Sequence, residues 1–252
     1  TTGTGADNIA GGSGNDVLSG GTGADTISGG AGNDTITGST GANSMTGGAG
    51  NDTITGSTDA DYADGGEGDD SISVSDGANT VVGGAGNDTI TTGTGADSVS
   101  GGDGNDTITT SSGNDTVDAG EGADTIDVGA GNDSVTAGGG NDTITGGTGD
   151  DTISAGDGND TITTNTGNDT VNAGAGDDTI DVGGGNDNVI AGVGSDTITG
   201  GSGDDTIDGG EGNDFITITS LSNGDSIDGG VGTDRLTISA ISSDATPSGI
   251  AN

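Results

Sequence analysis

An aspartate returns every nine residues along most of this chain, and that interval limits what the chain can fold into. Of the 24 such positions from 7 to 214, 22 are Asp and two, Asn43 and Asn79, are Asn. Two residues after each stands an aliphatic: Ile9, Leu18, Ile27, Ile36, Met45, Ile54 and so on to Ile216, with Ala63 the one weak member. A glycine-rich run precedes each Asp, as in Gly29-Gly30-Ala31-Gly32-Asn33-Asp34. The unit is G-G-x-G-x-D-x-U-x, where U is aliphatic. Three residues such as Thr35-Ile36-Thr37 suit a short strand, with Ile inward and both Thr outward. The other six suit a turn, where Gly supplies positive φ and lets the backbone approach an ion.

Composition says what such a chain lacks. Its 252 residues include 61 Gly, one Phe, one Tyr and no Trp, and only 25% are hydrophobic. Acidic residues number 42 against a single basic one, Arg235, for a net charge of -41. High charge with little apolar mass predicts disorder when no ligand is present. The missing stabilisation has to come from a cation, and nucleic acid is excluded because both polymers are anionic. Turn carbonyls and Asp carboxylates are hard oxygen donors that suit Ca²⁺. With no His and no Cys, soft-metal sites are ruled out. Lack of Cys also fits export. Residues 1–10 contain no signal peptide, and no stretch is apolar enough to span a membrane. The chain begins and ends within its pattern, so a longer parent protein is expected.

The nonapeptide resembles that of the RTX (repeats-in-toxin) family, whose repeat of this form binds calcium. The resemblance covers nearly the whole chain. It implies an all-β fold, a parallel β-roll or RTX β-solenoid with two three-residue strands in each 18-residue coil. About 12 to 13 coils would make a rod roughly 60 Å long at ~4.8 Å per coil. By the same resemblance, each ion sits between stacked turns 18 residues apart and takes turn carbonyls, such as those of Gly29, Ala31, Gly48 and Gly50, together with the Asp. Alternate turns stack on opposite edges. One edge runs through Asp16, Asp34, Asp52, Asp70, Asp88, Asp106, Asp124, Asp142, Asp160, Asp178, Asp196 and Asp214. The other runs through Asp7, Asp25, Asp61, Asp97, Asp115, Asp133, Asp151, Asp169, Asp187 and Asp205. Asp234 closes one later turn. Twelve turns per edge leave eleven gaps between them, so about 22 sites in all, and about 22 divalent ions balance a charge of -41.

The two edges differ. Every turn on the Asp16 edge keeps both glycines beside its variable residue, as in Gly65-Gly66-Glu67-Gly68. On the Asp7 edge Ser39, Ser57, Ser75, Ser111 and Asn165 replace the second Gly, Asp59 replaces the third once, and Asn43 and Asn79 replace the Asp. Weak or missing sites are expected there near residues 38–79. A longer period is also visible: segments 13–66, 67–120, 121–174 and 175–228 are alike at a spacing of 54 residues. Tandem duplication of a three-coil cassette accounts for it, and every third coil could mark a lateral contact. After Asp214 the register breaks, with Phe215 to Thr219 a longer strand and Asp225 two residues late. Residues 1–238 are thus the β-roll, and 239–252 form a C-terminal exit or cap leading to a further domain.

No nucleophile has a base other than a carboxylate, so catalysis is not expected in this segment. The resemblance extends most to RTX regions of bacterial surface-layer proteins and large adhesins. It implies a secreted or cell-surface protein, exported by type I secretion and folding on calcium outside the cell, where it self-associates or meets neighbouring surface-protein domains. A second reading rests on the outward Thr-x-Thr ladder of Thr35, Thr37, Thr53, Thr55, Thr89, Thr91, Thr107 and Thr109. Such ladders resemble those of ice-binding β-solenoids. Ser71-Ile72-Ser73, Thr125-Ile126-Asp127 and Thr179-Ile180-Asp181 interrupt this one every third coil. A third reading is the RTX tail of an exported enzyme.

Overall fold

A computed structural model describes residues 3–241 and the backbone of residues 250 and 251. The fold is an all-β parallel β-solenoid of about 13 coils, as the nonapeptide predicts, and no described residue is helical. Strands of one sheet, such as Thr26–Ala31, run six residues rather than the expected three because their pairing continues into the glycines of the turn. The chain divides into two compact units, residues 1–128 and 129–252.

In the first unit, one sheet holds the strands Asn8–Ser13, Thr26–Ala31, Ser44–Ala49, Tyr62–Glu67, Thr80–Ala85, Ser98–Asp103 and Thr116–Glu121. The other holds Val17–Thr22, Thr35–Thr40, Thr53–Thr55, Ser71–Ser73, Thr89–Thr91, Thr107–Thr109 and Thr125–Asp127. Every strand pairs parallel with the one 18 residues on, for example Ile90 with Ile108 and Val81 with Val99. Strand residues alternate between faces, so the inward aliphatics form one column per sheet. Ile36, Ile54, Ile72, Ile90, Ile108 and Ile126 are buried in one, and Ile27, Met45, Ala63, Val81, Val99 and Val117 in the other. The second unit repeats the plan with Ile144, Ile162, Ile180, Ile198 and Ile216 facing Val135, Ile153, Val171, Val189 and Ile207.

Val74, Val128 and Val182 are buried as well. They stand at the first turn position of the Asp7 edge at intervals of 54 residues, core members that the strand pattern alone does not reveal. The late arrival of Asp225 shifts the pairing by two: Phe215 pairs with Arg235 and Ile218 with Ile238. Leu221 and Ile227 extend the core, whereas Ile241 is exposed. The guanidinium of Arg235 lies 4.9 Å from the centre of the Phe215 ring, a cation–π contact on the outer face. Of the expected exit segment, residues 242–249 and 252 lie outside the described residues.

Candidate metal centres

Each repeat Asp follows its turn and is drawn inside by the strand that comes next. Asp34, Asp52, Asp70 and Asp88 on one edge and Asp25, Asp97, Asp151 and Asp169 on the other are all nearly inaccessible to water. One carboxylate oxygen is used by the backbone. The N–H of Asp16 donates to Asp34 Oδ1 at 2.8 Å, that of Asp34 to Asp52 Oδ1 at 2.7 Å and that of Asp52 to Asp70 Oδ1 at 2.7 Å. The same link joins Asp7 to Asp25 and Asp151 to Asp169 on the other edge.

In many of these residues the second oxygen has no such partner. Oδ2 is buried without a hydrogen bond in Asp16, Asp34, Asp52, Asp70, Asp88, Asp106, Asp160, Asp178, Asp196 and Asp214, and likewise in Asp7, Asp25, Asp97, Asp151, Asp169 and Asp187. A buried anionic oxygen left unpaired is costly. Burial therefore pushes the Asp70, Asp151, Asp178 and Asp205 carboxyls up to about 7 and those of Asp106 and Asp187 up to about 6. The N–H bonds oppose that rise, and the carboxylates one coil away add to it.

Carboxylate and carbonyl oxygens converge beside the first glycine of the turn. The point where a side chain on Gly11 would begin lies 2.6 Å from Asp16 Oδ2 and 2.7 Å from the carbonyl oxygen of Gly29, one coil on. Asp214 Oδ2 and Gly229 O close in the same way, at 2.6 and 2.8 Å, on the space beside Gly209. The spaces beside Gly29, Gly47, Gly65, Gly83 and Gly101 repeat the arrangement. Among the described residues no three acidic side chains converge, so a cation there must be completed by carbonyls. Hard oxygen donors carrying one negative charge per turn fit Ca²⁺. Of the four predicted carbonyls, that of Gly29 faces the cradle. That of Ala31 accepts the Gly14 N–H at 2.7 Å. Those of Gly48 and Gly50 press against Gly66 and Gly68 of the next coil, where φ is +108 and +123, so no Cβ is tolerated.

The remaining predicted Asp residues, Asp61, Asp115, Asp124, Asp133 and Asp142, are also buried, and Asp234 accepts the Asp214 N–H at 3.1 Å. Thr35, Thr53, Thr89 and Thr107 lie exposed on one sheet in parallel register, with Thr37, Thr55, Thr91 and Thr109 beside them. Two features escape the strand-and-turn reading. Where the residue before the repeat Asp is Asn or Asp, it builds an outer ladder: Asn15 Oδ1 accepts the Asn33 N–H at 3.0 Å, and Asn87 Oδ1 the Asn105 N–H at 2.8 Å. Its sequence signal is the frequent Asn-Asp pair. The buried Thr92, Thr110 and Thr164 donate their hydroxyls to the carbonyls of Thr110, Val128 and Val182 at 3.1, 3.0 and 2.9 Å.

The fold is a parallel β-solenoid with a column of buried Asp carboxylates beside the turns of each edge. The family described as RTX calcium-binding nonapeptide repeat (4 copies) matches in overlapping windows from 1–36, 37–72 and 73–108 through 181–216. The chain belongs to that family. Among solved structures, it is similar to a hyperactive, Ca²⁺-dependent, β-helical antifreeze protein from an Antarctic bacterium. Identity is 22% with a TM-score of 0.50, over 94% of this chain and 78% of that one. No curated protein matches.

Proposed function

We propose that this chain is a calcium-dependent structural segment of a secreted bacterial cell-surface protein: a surface layer, an adhesin or an extracellular filament. It folds on binding about 22 calcium ions outside the cell. The observation that carries the reading is the row of buried Asp Oδ2 atoms without partners. A folded chain cannot keep these carboxylates ionised and unpaired cheaply. In a calcium-poor cytosol it repels itself and stays extended, which suits a narrow export channel. Outside, calcium at ~10⁻⁴–10⁻³ M matches the affinity of extracellular modules, and binding free energy becomes folding free energy. The reading assigns the acidic groups to structure and none to catalysis. The 54-residue cassettes would then set the spacing of lateral contacts with other copies or neighbouring domains.

Circular dichroism during a calcium titration tests it. We expect a disordered spectrum in chelator and a steep rise of β-structure with calcium. A chain that is already β-rich in chelator refutes the reading.

One observation favours a second reading, an ice-binding module. The Thr columns stand in register on one sheet, and the similar solved structure is an antifreeze protein. Asp127 pairs with Thr109 on that sheet and Asp181 with Thr163, placing charge on the plane. Thermal hysteresis in calcium would establish the ice-binding reading, and its absence would leave the structural one.

A further inference from the structure

We infer that the Asp7 edge holds no calcium at the turns closed by Asn43, Asp61 and Asn79, because hydrogen bonds of the chain itself take the place of the cation. This inference rests on the calcium reading above and concerns where that reading stops applying.

The three turns lack the unpaired oxygen that marks Asp25 before them and Asp97 after them. Asn79 keeps the backbone role of an Asp, its Oδ1 accepting the Asp61 N–H at 2.9 Å. Where an Asp would present its second oxygen, Asn79 presents an amide. That Nδ2 donates to the carbonyls of Ser75 and Gly77 at 3.0 and 3.1 Å. Asn43 does the same, with Oδ1 accepting the Asp25 N–H at 3.1 Å and Nδ2 donating to Gly41 O at 2.6 Å. The carbonyls of these turns thus receive N–H donors. Asp61, between them, keeps its charge, yet its Oδ2 accepts the Ser57 N–H at 2.6 Å and lies 3.1 Å from the Ser57 hydroxyl.

The lining of the cradles changes as well. Beside Gly38, Asn43 Nδ2 and the Met45 sulfur stand 2.7 and 3.0 Å from where a Cβ would begin, in place of the carboxylate and carbonyl oxygens found beside Gly20. Beside Gly56 the Val74 side chain takes the place of a carbonyl, at 2.9 Å. The backbone has moved too. Ser39 and Ser111 replace the second Gly and keep its left-handed φ, at 71 and 73. Ser57 and Ser75 replace the same Gly but do not adopt positive φ. That departure lets the Ser57 N–H reach Asp61. A hard dication would need to displace these bonds and accept an apolar or sulfur neighbour with fewer anionic ligands. The Asp7 ladder is therefore split, with calcium up to Asp25 and again from Asp97.

Anomalous scattering from crystals grown in calcium chloride, with stoichiometry on the whole chain, tests this. We expect calcium at the Asp16-edge turns and none at the three turns, with about three ions fewer than the full count. The double variant Asn43→Asp/Asn79→Asp should gain calcium and need more of it to fold. Asn51→Asp, which adds charge on the exposed outer ladder, should gain none. Calcium found at the three wild-type turns, or an unchanged count in the double variant, overturns the inference. Should the double variant not fold, the wild-type map decides alone. Should no calcium bind anywhere, the parent reading fails instead.

Discussion

Ile90→Ala removes the centre of an apolar column and tests how the core and the ions share the work of folding. Ile90 is fully buried, between Ile72 and Ile108 in the parallel register. Main chains of adjacent coils are hydrogen-bonded to one another, so the site cannot collapse, and an Ile→Ala change in such a place costs about 2–5 kcal/mol. When folding takes up n ions together, a loss of about 3 kcal/mol raises the midpoint calcium concentration by a factor of exp(ΔΔG/nRT). For the ~6 ions of one three-coil cassette that is roughly twofold, and for ~20 ions acting as one it is roughly 1.3-fold. Calcium titration by circular dichroism reads the shift, and its size reports how many ions fold as a block. An unchanged midpoint at full signal amplitude would refute the claim that the aliphatic columns contribute to folding.

Three further changes probe the turns and the carboxylates. Gly102→Ala should raise the calcium midpoint more than Ile90→Ala does, because φ there is +118 and the new methyl would fall on the Gly84 carbonyl oxygen; the same calcium titration checks it. Ser39→Gly should stabilise by about 1 kcal/mol, since Ser39 sits at φ 71, where an L-residue is strained; chemical denaturation in calcium measures it. In chelator, lowering the pH from 7.5 to about 5 should increase β-structure. The carboxyls of Asp70, Asp151, Asp178 and Asp205 are raised to about 7 in the fold. The folded chain therefore binds more protons than the unfolded one between the ordinary carboxylate range and pH 7, and its stability falls as pH rises through that window. The scan stops above the pI of 4.1 to avoid precipitation, and β-structure that is flat or falling on acidification would contradict the linkage.

The Asp and aliphatic periods make the coil, its register and the contrast between edges legible in the amino-acid sequence alone. A residue that repeats every 18 positions must stack on itself in a solenoid, so the columns of Ile36 to Ile126 follow from counting. Counting does not say which backbone groups turn inward. It does not reveal that the Gly29 carbonyl meets the cradle while that of Ala31 is held by the Gly14 N–H. Nor does it separate Ser39 from Ser57. The two occupy the same turn position with the same side chain, yet one keeps the left-handed backbone and the other leaves it to cap Asp61. The difference lies in which neighbour can accept the N–H once the turn relaxes. The outer Asx ladder is hidden for another reason: its residues vary among Asn, Asp, Ser and Ala and look like filler in the nonapeptide.

Under the proposed calcium reading, the division of labour within each carboxylate couples ion uptake to the docking of coils. Asp34 Oδ1 is fixed by the N–H of Asp16, in the coil before. That bond orients the carboxylate, so its Oδ2 is aimed before any cation arrives. The cradle beside Gly29 is then completed by the Gly47 carbonyl, in the coil after. One candidate site thus draws on three successive coils, and each coil serves the sites on either side of it. A coil that docks without its neighbour gains an unpaired buried oxygen, which costs free energy, and gains no cation to offset it. Partly filled ladders are therefore penalised at every boundary between folded and unfolded coils. Nearest-neighbour coupling of this kind makes folding in a repeat array cooperative. Where Asn79 supplies its own donors to Ser75 and Gly77, a boundary on that edge carries no such penalty, and the array has its weakest demand for calcium.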